Sequence, residues 1–399
     1  MSNVSSSNSH KEYIPKLRFK EFTDSWNTAT LGELGTFTKG APLSKADISA
    51  EGTPFILYGE LYTTYKEVTY EIMRKTQKTA DNECFSRVGD VIIPTSGETP
   101  EEIATATCVM LPDVILAGDL NIYRNNTVDG RIVSYIINHV VNADISRIAQ
   151  GKSVVHIKAD ELAKIQIHYP AEREQIELLN FFQLLDSKIK KQQLLVERIK
   201  SYKRGLENIV FSPKYSTVIS ISDMLTECVE RSTVNNQYPI ISSTKQGLFM
   251  QSEYFNKQAA SINTIGYKIL RLGQIVFSPQ NLWMGNINYN NKFEIGIVSP
   301  SYKIYKVNPN FDSLYIGYLL KSNRAIKEYV LASEQGASIV RHNLDIQLFG
   351  EIKFCIPDIS QQRKIAYLLN HIDLLIQNYL SELTLLERTK TYLLQQLFI

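Results

Sequence analysis

The feature that most constrains this chain is a heptad stripe that occurs twice, in register with itself. Alternating steps of four and three pick out Leu178, Phe182, Leu185, Ile189, Gln192, Val196, Ile199, Lys203, Leu206 and Val210. The same walk 187 residues later meets Ile365, Leu369, Ile372, Ile376, Tyr379, Leu383, Leu386, Lys390, Leu393 and Leu397. This spacing is the seam of a coiled coil, whose apolar stripe faces a partner helix. The offset also relates Pro170 to Pro357, Gln175 to Gln362, Asp186 to Asp373 and Phe211 to Phe398. Even the polar break is copied, Lys203 against Lys390. A chance helix would not reproduce its own defect, so the chain is a duplicated unit and each copy ends in a long helix.

The segments ahead of the two helices repeat as well. Short β-like runs bounded by Gly, Pro, Asn and Asp fill the first half, among them Pro54-Phe55-Ile56-Leu57-Tyr58, Asp90-Val91-Ile92-Ile93-Pro94 and Leu120-Asn121-Ile122-Tyr123-Arg124. A helical patch from Ile132 to His139, a Gln150-Gly151-Lys152-Ser153 loop and a strand-like run from Ile165 to Tyr169 follow. In the second half, Ile221 to Leu225 stands in for Leu31 to Leu34, and Gly273-Gln274-Ile275-Val276-Phe277 for Gly89-Asp90-Val91-Ile92-Ile93. Likewise Lys303-Ile304-Tyr305-Lys306 answers Asn121-Ile122-Tyr123-Arg124, and Gln335-Gly336-Ala337-Ser338 answers the Gln150 loop. The order is globular domain, helix, globular domain, helix.

Each helix of about 37 residues extends roughly 55 Å, too long for a domain of ~130 residues to bury its stripe. The natural partner is the other helix, running antiparallel, which would set the two domains at opposite ends of a rod. The other arrangement pairs each helix with a helix of a different protein. The expected fold is α+β: two pseudo-repeated β-rich domains separated by two long helices that pair as an antiparallel coiled coil. Its divisions are a tail over 1–13, a first domain over 14–169, a central helix over 170–212, a second domain over 213–356 and a final helix over 357–399. The outward heptad positions Lys188, Lys190, Lys191, Glu197, Arg198 and Lys200 read as a solvated face, and Lys203 and Lys390 as lysines snorkelling from the seam.

Composition narrows the function classes. With 44% hydrophobic and 21% charged residues over 399 positions the chain is of soluble globular type. No apolar run approaches the roughly 20 residues that span a bilayer, so no membrane partner is expected. The first residues, Met1 to Tyr13, lack the apolar core of a signal peptide. Cys84, Cys108, Cys228 and Cys355 are scattered and form no CxxC pair, which fits a reducing cytoplasm. A net charge of only +2 neither demands nor excludes nucleic acid.

No catalytic constellation is legible, and no metal site is expected. Asn308-Pro309-Asn310-Phe311 lacks the second proline of an adenine methyltransferase loop and reads as a turn before a helix over residues 314–322. Gly151-Lys152-Ser153 resembles the end of a phosphate-binding loop, but Ser146 stands where that motif needs glycine. Asp345, Glu351 and Lys353 are nuclease-like types, yet Glu351-Ile352-Lys353 alternates as a strand face would. The six histidines include no i, i+4 pair, and His371 reads as an exposed helix residue.

The Pro-x-Leu-Arg-Phe opening (Pro15 to Phe19), Trp26, Leu31-Gly32-Glu33-Leu34, the Gly-Asp-Val-Ile-Ile and Gly-x-Ser-Val loops, and the helix starts with spaced Pro170, Gln175 and Leu185-Asp186-x-x-Ile189 resemble the specificity subunit of type I restriction–modification systems. The resemblance covers nearly the whole chain and includes the repeat. It implies two target-recognition domains, each reading one half of an asymmetric split site in double-stranded DNA. It also implies a helical spacer that docks two modification subunits, with restriction/translocase subunits joining in phage defence. No cofactor is implied for this chain; S-adenosylmethionine, ATP and Mg would belong to the partner subunits. The rival reading is a coiled-coil adaptor that carries two β-rich protein-interaction modules and never touches DNA. A self-contained methyltransferase is the third, and predicts cofactor binding by the isolated chain.

Loop tips that differ between matching strands mark the candidate contacts, since Ser, Thr, Gln and Asn suit base edges while Lys and Arg serve bases or phosphates. In the first domain these are Lys39, Thr95, Ser96, Glu98, Lys152, Ser153, His156 and Lys158. In the second they are Lys245, Gln280, Asn281, Trp283, Asn286, Ser338, Arg341 and His342. The plain alternative for each is a solvated loop residue.

Overall fold

A computed structural model of the chain describes residues 13–149, 151, 155–212, 215, 217–254, 263–338 and 341–399. Most of the expected tail therefore lies outside the described residues. The chain divides into two compact units, residues 1–191 with 382–399 and residues 192–381.

The first unit begins with β1 (Asn27–Thr30), α1 (Leu31–Leu34) and β2 (Gly35–Lys39). Next come β3 (Thr53–Leu57), β4 (Val68–Thr69), β5 (Arg74–Thr76), β6 (Asp90–Pro94) and β7 (Ser96–Gly97). After α2 (Pro100–Ile103) run β8 (Thr107–Val109), β9 (Ile115–Ala117) and β10 (Leu120–Asn125). Helices α3 (Gly130–His139) and α4 (Asn142–Ile148) are followed by β11 (Val155–His156), α5 (Ala159–Leu162) and β12 (Gln166–Tyr169). The main sheet has the order β2-β10-β6-β8-β4, beside a smaller β5-β3-β9 sheet and a β1-β12 pair. Helix α6 (Glu172–Val210) then carries the chain into the second unit.

The second unit repeats the plan. It opens with β13 (Val218–Ser220), α7 (Ile221–Met224) and β14 (Leu225–Glu227). Then follow β15 (Ile241–Thr244), β16 (Gly247–Met250), α8 (Gln251–Tyr254), β17 (Lys268–Arg271) and β18 (Gln274–Phe277). Strands β19 (Ile287–Tyr289), β20 (Ile295–Val298) and β21 (Lys303–Val307) precede helices α9 (Ser313–Lys321) and α10 (Asn323–Leu331). The unit closes with β22 (Ser333–Ser338), β23 (Arg341–Leu344), α11 (Ile346–Glu351), β24 (Lys353–Cys355) and α12 (Ile359–Leu397). Its β14-β21-β18-β19 sheet and β13-β24 pair match β2-β10-β6 and β1-β12 of the first. The single turns α1 and α7 are capped alike, by the hydroxyls of Thr30 and Ser220.

The seam is buried as its periodicity requires. Every stripe position from Leu178 to Val210 and from Ile365 to Leu397 is buried or half-buried, while Lys188, Lys190, Lys191, Glu197 and Arg198 are exposed. In the first unit Leu178 and Phe182 share a core with Leu394, Leu397 and Phe398, so the start of α6 packs on the end of α12. In the second unit Val210 and Phe211 share a core with Ala366 and Leu369, joining the end of α6 to the start of α12. The two helices thus pair antiparallel. Each is latched to its domain by the same buried glutamine. Gln175 donates to the Pro170 carbonyl and accepts from the Asp129 amide, both at 2.9 Å. Gln362 repeats both bonds with Pro357 and Asp312, again at 2.9 Å. Asp129 and Asp312 cap α3 and α9, so one side chain ties two helix starts together.

Two sequence expectations need correcting. Lys203 and Lys390 do not snorkel to solvent. Lys203 pairs with Asp373 at 2.6 Å and lies 5.1 Å from the Tyr318 ring centre. Lys390 pairs with Asp186 at 2.8 Å and with Glu67 at 3.3 Å, and lies 5.9 Å from the Tyr135 ring centre. The copied defect is a copied ion pair between the helices. Glu351 ends α11 instead of sharing a strand with Lys353. Asp345, of nuclease-like type, caps that helix by accepting from the Gln347 and Leu348 amides. Among the described residues no helix is long and apolar enough to cross a membrane.

The Lys390 cluster is the more deeply buried of the two. Burial alone would raise the Glu67 pKa, but the hydrogen bond to His139 Nε2 at 2.8 Å and the Lys390 charge carry it from 4.5 down to about 2. Burial would likewise lower Lys390, and Glu67 and Asp186 raise it instead. Replacing Lys390 with Met leaves the buried Glu67 carboxylate with His139 alone and is expected to cost about 3 kcal/mol, whereas Lys203→Met should cost about 1 kcal/mol at its wetter site. Because the folded Glu67 pKa is depressed, its contribution is present above pH 4.5 and disappears as pH falls toward 2. Urea unfolding across that window should show the loss in the parent, and Glu67→Gln should flatten it.

Candidate nucleic-acid interface

In the first unit two loops far apart in sequence are zipped by backbone bonds. Strand β7 pairs with β11, setting Ser96 opposite His156 and Gly97 opposite Val155. On the near side, the Ile157 amide donates to the Thr95 carbonyl at 3.0 Å and the Thr95 amide to Asp119 at 2.7 Å. The residues at 95–98 and 155–158 therefore form one surface. Beside it lies a cleft of about 1140 Å³, whose walls include Lys39, Thr95, Asp119, Asn121, His156 and Lys158. Four predicted contacts thus converge here. Lys39, His156 and Lys158 are exposed and Thr95 is half-buried. Lysine ammonium groups at a cleft edge suit phosphates, and Thr and His suit base edges.

Two further predicted residues behave differently. Ser96 is buried: its hydroxyl donates to Asp119 Oδ2 at 2.9 Å and its carbonyl accepts from Tyr62 Oη at 2.7 Å. It shapes the loop from below. Burial, with help from Glu102, Tyr58 and Asp119, pushes the Tyr62 phenol pKa up, so this donor keeps its proton. Glu98 is exposed on the loop beyond β7. Lys152 and Ser153 lie outside the described residues.

The second unit builds its loops by other means. After β18, residues Pro279–Met284 make a short 3-10 helix that ends at Gly285 in the left-handed region, φ 84°. That backbone favours glycine, while the contact a Cβ would make, with Ile326 Cδ1 at 2.8 Å, is with a side-chain tip that can shift. This turn presents Gln280 to solvent and leaves Asn281 and Trp283 half-buried. Strand β23 packs on this turn, so the backbone of Arg341 and His342 lies beside the 279–284 segment, and Ser338 of β22 stands opposite Arg341 in the ladder.

Asn286 is not a free contact residue. It is buried, accepts from the Ser243 hydroxyl at 2.8 Å and donates to the Ser243 carbonyl at 3.1 Å. Asn288 continues the ladder to Ser243 Oγ and the Thr244 carbonyl, both at 2.8 Å. These amides pin the β15-β16 hairpin, whose turn carries the exposed Lys245. The signal that sequence reading missed was burial itself: Asn286 and Ser96 have loop-like composition but inward side chains. Asp119, Asn121 and Tyr62 were missed because they sit on or near regular elements of the first unit. Asn286→Leu should destabilise the second unit by about 1–3 kcal/mol by taking away the buried acceptor of the Ser243 hydroxyl. Thermal unfolding of the variant beside Gln280→Ala, expected within ~0.5 kcal/mol of the parent, checks this.

Residues 23–198 match the family model described as the type I restriction modification DNA specificity domain. A curated relative, the type I restriction enzyme MjaVIII specificity subunit of Methanocaldococcus jannaschii, is 31% identical over 104 residues. That stretch covers 26% of this chain and 23% of the relative, so the chain's match spans about a quarter of that protein's length. The fold is shared with the crystal structure of a type I restriction-modification system S subunit from M. genitalium. The TM-score there is 0.58 at 15% identity, covering 97% of this chain and 99% of that one. It is shared too with a chain from a study of complex assembly and conformational transition in the type I R-M system, with TM-score 0.56 at 13% identity and coverage of 94% and 97%.

Proposed function

We propose that this chain is the DNA-reading subunit of a type I restriction–modification complex, a reading supported by the match of residues 23–198 to the type I restriction modification DNA specificity domain. Each globular unit reads one half of a bipartite site in double-stranded DNA, and the helix pair sets the gap. The observation that carries this reading is the duplicated scaffold with unlike tips. Strands β2-β10-β6 and β14-β21-β18 match, while one copy ends in a zipped β7-β11 loop and the other in a 3-10 turn under a hairpin. One scaffold with two surfaces suits two different half-sites.

Chemistry belongs to partners. Two modification subunits would bring S-adenosylmethionine, restriction/translocase subunits ATP and Mg, and the assembly would act in the cytoplasm on chromosomal and invading DNA. Exposed apolar residues on the long helices, Leu184 and Tyr202 on α6 and Tyr367 and Leu385 on α12, support docking of further subunits there. The adaptor reading requires the same helices but no half-site preference.

Co-expression with a modification subunit, followed by sequencing of the methylated motifs, tests the proposal. Replacing residues 95–98 should alter one half of the motif and spare the other; a motif indifferent to both units' loops would leave the adaptor standing. The spacer is tested in the same assay. One heptad inserted after Lys190 and one after Gln377 keeps both stripes in phase, where four residues would rotate them. The helix pair lengthens by roughly 10 Å, near three base pairs at ~3.4 Å each. The bases read should persist and only the gap should grow; unchanged spacing would remove the helices as ruler.

A further inference from the structure

The floor of the first unit's cleft contains a polar group with nothing to bond. Asn121 is 1% exposed, and its Nδ2 has no acceptor among the described residues. Native structures rarely keep a buried donor unpaired, since each costs stability that an apolar side chain would not. Asn121 lies on β10 directly opposite Lys39 of β2 and Ile93 of β6, so the three side chains share one face of the sheet. Ile93 and Tyr123, two positions along the same face, belong to the apolar core. The amide thus sits where the core gives way to the cleft, beside the lysine that lines its edge.

The repeat supplies the control. The residue in the matching place of the second unit is Lys303, opposite Phe277 as Asn121 is opposite Ile93. Lys303 is satisfied internally, by Glu227 Oε1 at 2.7 Å. A shared scaffold position is therefore polar in both copies, but only the first leaves a buried donor there without a partner. Structure alone does not call for the free amide, because the other copy shows how the position is closed.

We infer that Asn121 is a specificity-determining residue of the first unit, donating its amide proton to an acceptor on a base edge of the DNA held in the cleft. This rests on the DNA-reading assignment above and adds the residue that makes the discrimination. Amides read bases through such donor and acceptor atoms, whereas Lys39 and Lys158 at the cleft wall answer to phosphates whatever the sequence. The stability given up at Asn121 is the kind of cost that a binding function keeps in place.

The experiment uses the assembled complex with its modification subunit, and measures both melting temperature and affinity for the cognate duplex against single-base variants. Asn121→Leu should leave the melting temperature equal or higher and reduce discrimination at one position of one half-site by tenfold or more. Asn121→Asp, of the same shape but without the donor, should change the preferred base at that position and leave the other half-site intact. A lower melting temperature for Asn121→Leu with the motif unchanged would make the amide structural and overturn the inference. So would an unchanged motif in Asn121→Asp, whatever the leucine variant does. Lys39→Ala and Lys158→Ala separate this from the wider reading: weaker binding to all sequences upholds the cleft as a DNA surface, and no effect removes that surface itself.

Discussion

Two lysine–aspartate pairs hold the long helices in one alignment, and the rest of the fold depends on that alignment. Lys203, late in α6, meets Asp373, early in α12; Lys390, late in α12, meets Asp186, early in α6. The duplicated residues pair crosswise, as they must when two copies of one helix run antiparallel. An apolar stripe alone tolerates a slip of a whole heptad, because leucine against isoleucine is nearly as good one turn on. A lysine does not. Displaced by seven residues, each ammonium would lose its aspartate and keep its desolvation cost without that partner. The pairs add little to net stability at the wetter site and more at Lys390, but both penalise the wrong register.

That register matters because the globular parts are fastened at the helix starts. Gln175 and Gln362 make the same two hydrogen bonds, one back to a proline carbonyl and one to the residue capping the next helix. The first unit adds a bidentate Arg18–Glu174 pair, with Trp26 Nε1 donating to the same carboxylate at 3.2 Å. At the corresponding place in the second copy stands Gln361, so this clamp is particular to the first.

On that scaffold the two units diverge where chain leaves the matched strands. In the first, backbone pairing between residues 95–97 and 155–157 makes one surface from two loops. In the second, a glycine-terminated 3-10 turn and an amide ladder around Ser243 do the same work. A near-neutral chain, +2 overall, can still present lysines locally, and Lys39 and Lys158 at one cleft are such a case. The asymmetry at Asn121 and Lys303 belongs to the same pattern: a common position put to separate uses.

Much of this was readable in the sequence because periodicity and repetition are local properties of a string. The seam from Leu178 to Val210, its copy from Ile365 to Leu397, the matched strands and the unlike loop tips all follow from residue order. Side-chain direction in irregular segments does not, since it depends on what the fold packs against them. Ser96 and Asn286 have the composition of contact residues and are buried supports; Asn121 looks like an ordinary strand residue and faces a cleft. Lys203 and Lys390 stand out in sequence as a shared flaw, and Asp186 and Asp373 as a shared pair of acids. That each lysine answers the other copy's aspartate could be decided only by the antiparallel packing, because a charge has no partner until the chain folds back and brings one within about 3 Å.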